Sequence, residues 1–347
     1  MRPRVPIILA LTLATASSVF VTLGAQADST TTTTVVASTS TTTTAPTTTT
    51  TSPPRSVAPL TGLPYPKREL KNHSALTIKI DNTPEALPQF GVQDADVVYE
   101  EIVEGGITRL AAIFNSHVPS VVGPVRSVRR TDREIVFPIG GVFAFSGGAE
   151  YAVRSIETAP VKLYDQSNAG AAMYRDPDRA PPHNLLANAV LLMEKDGKPR
   201  PPPPLFTYRT PSETFNGPKV KSFVVGFESG YAVTYTWDTA TKSWGRSLFG
   251  APDVTANGVR LSPKNVIVMT VNYVGGVGVI DSYAQLIGSG PVAVFSHGRV
   301  ERGTWSRSNL RHRAIYKNAQ GKIINLTPGQ TFVELMAVGE NVAVASG

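Results

Sequence analysis

Val97-Val98-Tyr99-Glu100-Glu101-Ile102-Val103-Glu104-Gly105-Gly106-Ile107-Thr108-Arg109-Leu110-Ala111-Ala112-Ile113-Phe114 is the stretch on which the fold turns. Two apolar-rich runs flank a glycine pair, the short-range signature of a β-hairpin. A helix over 95–104 capped by glycine competes with that reading. If the two glycines form the loop, Glu104 pairs with Ile107 and Ile102 with Arg109. Alternate strand residues share a face, so Glu100, Ile102, Glu104 and Arg109 would then lie together. Two carboxylates beside an arginine suit an acid/base pair with a charge partner, or equally a cross-strand ion-pair network. A register change of one residue would dissolve the group.

Upstream, Ala75 to Ile80 reads as a short strand ending at Asp81-Asn82. Downstream, Pro124 to Phe137 reads as a helix, with proline in its first turn and Val125, Val128, Ile135 and Val136 at helical spacing. On that helix Arg126, Arg129, Arg130 and Arg133 would form a basic stripe. Arginine in a first turn opposes the helix dipole, which makes sense if a carboxylate or phosphate sits there. The alternative is a solvated face paired with Asp132 and Glu134. Further on, the proline-stiffened loop 174–184 delivers His183 just ahead of Asn184. Asn184 reads as the N-cap of a helix through Leu185, Leu186, Ala189, Val190 and Met193. His183 is an acid/base candidate on a rigid loop, or a packed neighbour of a cap.

Lys198 to Pro204 carries five prolines and reads as an extended, semi-rigid connector. Beyond it, short β-branched and aromatic runs alternate with turns at Ser222–Gly226, Ala232–Trp237, Asn265–Val271, Val292–Ser296, Arg299–Trp305 and Thr331–Leu335. The expected class is α+β: a mixed α/β N-terminal domain over 58–205, then a smaller β-rich C-terminal domain over 206–347.

The ends and composition set the outer limits. Residues 1–27 read as a signal peptide: Arg2 and Arg4, a mostly apolar run from Ile7, and Ala25-Gln26-Ala27 as a cleavage site. An uncleaved N-terminal anchor is the alternative. In 29–52, 19 of 24 residues are Ser or Thr. Such a segment cannot repay the entropy of ordering, so 28–57 reads as a disordered linker. The 347 residues include no cysteine, which excludes disulfides, a cysteine nucleophile and lipidation through a lipobox. The expectation is therefore a secreted, extracytoplasmic, envelope-associated protein that is not a lipoprotein. The net charge of +7 is modest and spread out, which argues against nucleic acid and for an anionic surface polymer. The five histidines are too far apart in sequence to suggest a metal, and no cofactor loop or standard hydrolase motif is present.

Four segments together resemble the YerB family of bacterial envelope proteins, which contain a domain of unknown function. They are Ala95 to Glu100, Glu104 to Arg109, Gly123 to Arg129 and Ala180-Pro181-Pro182-His183-Asn184. The second half is similar to that family's C-terminal domain through Asn265 to Val268, Ile287 to Gly290 and Gly303 to Arg307. The resemblance implies two domains, export and envelope association, and no particular reaction. This chain departs from many relatives in having no cysteine, and from the family's Pro-His-Asn segment in one extra proline.

The resulting candidate site is an anion-binding set of Arg109, Arg126, Arg129 and Asn184, with Glu100 and His183 as acid and base if there is chemistry. No metal and no cofactor are expected. A wall glycan or peptide is the favoured ligand. A non-catalytic wall-binding factor, a wall-polymer hydrolase or transferase, and a structural partner of another envelope protein are the three readings left open.

Overall fold

The computed structural model describes residues 57–347. The signal peptide read over 1–27, and the linker over 28–57 except its last residue, lie outside the described residues. The first half contains β1 (Leu76–Asp81), β2 (Val97–Ile102), β3 (Thr108–Phe114), α1 (Arg130–Val136) and β4 (Gly141–Ala144). It continues with α2 (Glu150–Ile156), β5 (Val161–Tyr164), β6 (Met173–Arg175), β7 (Leu185–Ala187) and α3 (Ala189–Glu194). The second half opens with β8 (Val220–Gly226), β9 (Ala232–Asp238), β10 (Ser243–Leu248), β11 (Ala251–Pro252) and β12 (Asn265–Val271). There follow β13 (Tyr273–Val274), β14 (Tyr283–Ala284), β15 (Gly288–Ser296), β16 (Arg299–Arg307), β17 (Ile315–Asn318), β18 (Thr331–Ala337) and β19 (Val342–Ser346). Sheet therefore dominates, and the mixed α/β character expected of the first half holds only in part.

One ten-stranded sheet runs through both halves, in the order β17-β16-β15-β12-β18-β2-β3-β1-β4-β5. The seam is a parallel pairing of β18 with β2, Thr331 opposite Val97 through Leu335 opposite Glu101. Every residue of β1, β2, β3 and β18 is buried. That explains their near-continuous apolar runs, since a strand covered on both faces loses the polar alternation of a half-exposed one. The second sheet, β11-β10-β9-β8-β19, joins the first through aromatic contacts: Phe223 on Phe295, Tyr235 against Phe332 and Trp244 against Phe295.

The hairpin forms, one residue out of the expected register. Ile102 faces Thr108 and Glu101 faces Arg109. The loop is longer than the glycine pair: Val103 N–H donates to the Ile107 carbonyl at 2.8 Å, and Gly105 and Gly106 take φ of 76° and 71°. Only glycine adopts that conformation cheaply. The shift separates Glu100 from Arg109, so the expected Glu100–Glu104–Arg109 cluster does not exist.

The helix expected over 124–137 begins only at Arg130. Val125 instead pairs with Ile80 as an extended bridge, with Asp81 N–H on the Pro124 carbonyl and Arg126 N–H on the Lys79 carbonyl, both at 2.9 Å. This segment continues the edge of β1 where β4, paired only with Leu76 to Ile78, leaves off. The basic helical stripe is thereby lost, and Arg130 and Arg133 turn to Asp281 and Thr158. Leu185 to Ala187 are likewise strand, and the cap of α3 is Asn188, whose side chain accepts from Leu191 N–H at 3.1 Å.

Candidate functional site

The C-terminal end of β1, the first residues of β3 and the extended segment 124–129 meet at one edge of the large sheet. Asp81 is fully buried there. One of its oxygens, Oδ2, lies 2.9 Å from Arg126 Nε and 2.7 Å from His183 Nδ1. Its other oxygen accepts from Thr83 N–H at 3.3 Å, and the Thr83 hydroxyl stands 3.3 Å from the same histidine nitrogen. Arg109 is opposite Asp81 in the β1–β3 ladder. Arg129 donates through Nε to Glu104 Oε2 at 2.7 Å, with a second guanidinium nitrogen 2.6 Å from that oxygen. Arg109 and Arg129 both donate to the Ser127 carbonyl, at 3.1 and 3.4 Å.

Three of the arginines read from the sequence therefore converge, together with His183. They come together by tertiary contact, not by helical spacing. Arg109 is the deepest, 5% exposed. Its Nε is buried without a hydrogen-bond partner, and among the described residues it makes no ion pair within 4 Å. Burial pushes its guanidinium down to about 10, with Arg129 and Arg126 pressing in the same direction and Asp81 and Glu104 opposing them. A cluster of like charges with an idle buried donor is poised to take an anion.

Beneath the arginines lies a second layer that sequence reasoning missed. Lys79, wholly buried, bridges Glu101 and Asp132, the latter at 2.9 Å. Asp132 in turn accepts from Arg129 N–H at 2.7 Å and so fixes where α1 begins. Burial pushes the Asp132 carboxyl upward, with Lys79 opposing and Glu101 adding to the rise. Asp81 is the other missed residue. Its only signal was an acid closing an apolar strand, followed by Asn82.

Glu100 and Asn184 do not belong to this site. Glu100 points to the opposite face of β2, where it accepts from Arg246 at 2.6 Å, Thr108 at 2.7 Å and Asn82 at 3.0 Å. Arg246 also pairs with Asp253, and Glu334 accepts from the Tyr235 hydroxyl. Every member of that network is buried. Asn184 accepts from Arg175 at 2.7 Å and donates to the Asp176 carbonyl at 3.3 Å. It ties down the 175–184 loop that carries His183. Among the described residues no group of three or more His, Asp or Glu is placed to hold a metal ion.

Two family models match the chain. "Protein of unknown function (DUF3048) N-terminal domain" covers residues 60–198, and the corresponding C-terminal domain covers 223–333. The chain is 26% identical over 307 residues to "Putative lipoprotein YerB" of Bacillus subtilis (strain 168), spanning 84% of this chain and 89% of that protein. The crystal structure of YerB from Bacillus subtilis superposes with a TM-score of 0.72 at 24% identity, over 83% of this chain and all of that one. This likeness corrects the expectation of a secreted protein that is not a lipoprotein, because a relative aligned over most of the chain bears the name of a lipoprotein. The lack of cysteine is weak evidence against it. With both domain models matched in order and the fold shared, the chain belongs to the two-domain YerB-like DUF3048 family, whose function is unknown.

Proposed function

We propose that the protein is a binding module for an anionic group, a carboxylate or phosphate, held by Arg109, Arg126 and Arg129. The supporting observation is Arg109. It is a buried guanidinium with an unused Nε, flanked by two further arginines whose own acidic partners, Asp81 and Glu104, are already engaged. A bidentate acceptor entering there would relieve the repulsion among the three cations and satisfy the idle donor. An anionic wall polymer, rich in both groups, is the favoured ligand. His183 stands at the rim with Nδ1 committed to Asp81.

The Asp81–His183 contact supports a second reading, hydrolysis or group transfer on the same polymer, with His183 as base oriented by Asp81. Glu100 has no part in it.

One experiment tests both. Purified bacterial wall material is mixed with the protein, the pellet is assayed for bound protein, and the supernatant is analysed for released fragments by mass spectrometry. Retention that falls at least about tenfold in Arg126→Ala/Arg129→Ala, without fragments, supports the binding module. Fragments that vanish in His183→Ala support the enzyme. Retention equal to wild type in the arginine variant overturns the anion site.

A further inference from the structure

A groove of about 650 Å³ shares no residue with the arginine site. Its walls are the 66–74 segment, the 117–119 turn and the outer side of α3 with the residues that follow it. Leu70, Val118, Val190 and Met193 supply apolar surface, and Val190 is 41% exposed. Four carboxylates, Glu69, Asp94, Glu194 and Asp196, also line it, against one lysine and two histidines.

An acidic rim alone would be a solvated surface. Asp196 makes the difference. It is only 5% exposed, and its Oδ2 is buried with no hydrogen-bond partner. Its other oxygen is ion-paired with Lys162 Nζ at 3.7 Å, longer than a hydrogen bond. A carboxylate oxygen withdrawn from water and left without a donor is costly unless a donor arrives. Glu194 and Asp196 also stand at the carbonyl end of α3, where negative charge is least favoured. His73, in the same wall, has a buried Nδ1 without a partner.

We propose that this groove binds an aliphatic ammonium, the side chain of a lysine or a similar amine presented on a peptide. The methylene stem would lie on Val190, Met193 and Leu70, and the ammonium would donate to Asp196 within the field of Glu194 and Glu69. The stem and head of such a side chain match the two chemistries of the groove: apolar length and terminal positive charge. The site is independent of the arginine cluster, and its failure would leave that reading untouched.

The test is a titration of the full chain with Nα-acetyl-lysine methylamide, followed by calorimetry or NMR, beside the norleucine analogue that lacks only the ammonium. Saturable binding is expected for the lysine probe and at least about tenfold weaker binding for the norleucine probe. Asp196→Asn, nearly isosteric, should weaken the lysine probe by about tenfold or more, and Arg126→Ala should leave it unchanged. Glu194→Gln, on the exposed rim, should weaken it severalfold and serves if Asp196→Asn fails to fold. Equal affinity for the two probes, wild-type affinity in both acidic-residue variants, or no saturable binding would overturn the proposal.

Discussion

Two buried charge clusters sit back to back on the same hairpin, and they differ in whether the buried arginine has a carboxylate of its own. Glu100 and Glu101 are adjacent residues of β2 and face opposite ways. Behind Glu100, Arg246 is clasped by Glu100 and Asp253, with Thr108 and Asn82 on the remaining lone pairs. Although burial works against its charge, Glu100, Tyr235 and Glu334 hold the Arg246 guanidinium firmly protonated. On the side of Glu101, Arg109 has no carboxylate within 4 Å among the described residues, while both Arg246 and Arg109 leave a buried Nε without a hydrogen-bond partner. The sealed cluster ties the two halves together. The open one is the anion site proposed above. Buried charge countered inside the chain reads as structure, and buried charge left without a counter-ion marks a candidate site.

The largest effect expected is on the sealed side. Arg246→Ala would strand Glu100, Asp253 and Glu334 without their cation, and should cost about 3–5 kcal/mol by chemical denaturation. A loss under 1 kcal/mol would mean that cluster is not what joins the halves. On the open side, Arg126→Ala/Arg129→Ala should lose at least about tenfold in retention on anionic wall polymer, yet cost less stability than Arg246→Ala, because His183 still faces Asp81 and Glu104 is partly exposed. A stability loss as large as that of Arg246→Ala would erase the distinction.

Glu334 gives the pH test. Burial and then Glu100 raise its carboxyl well above the ordinary 4.5. A carboxyl with a raised folded pKa contributes stability below its unfolded value and loses it as pH climbs. Wild type should therefore lose ground to Glu334→Gln between pH 4 and 8 in denaturation midpoints. A constant difference across that range would contradict the assignment. The smallest effect belongs to Arg109→Met, which removes a buried cation already pressed by two others. Stability should change by less than about 1 kcal/mol, neutral or upward, while anion binding falls. A clear loss of stability would place Arg109 with the sealed type.

Much of the sheet was legible. The strands at 76–80, 97–102, 108–114, 265–271 and 331–335 stand out because β-branched residues run unbroken where both faces are covered. The hairpin register was not, because the glycine pair borrows Val103 and Glu104 for its turn. The 124–129 segment misled for a similar reason. Proline followed by valines at helical spacing reads as a helix, and backbone hydrogen bonds to β1, Leu185, Ser146 and Gly147, all distant in sequence, hold it extended. Arg126 and Arg129 were singled out by their charge on a helix that does not form there, and tertiary contact, not helical spacing, brings them together with Arg109. Asp81, Lys79 and Arg246 were given no role because a charged residue in a strand looks like an interruption until its partner from another element is known, and Asp132 was read only as a partner on a solvated helix face.

The seam between β18 and β2 bears on how the protein is made. The strand that closes the middle of the sheet, Thr331–Ala337, is synthesised after every other strand of that sheet. Until it arrives, β2 presents a bare hydrogen-bonding edge of apolar residues, and so does β12 on the other side of the gap. Nascent chains in that condition invite pairing with a neighbour. A message truncated before residue 331 would release two half-sheets that are not paired strand to strand, joined instead by contacts such as Arg246 with Glu100.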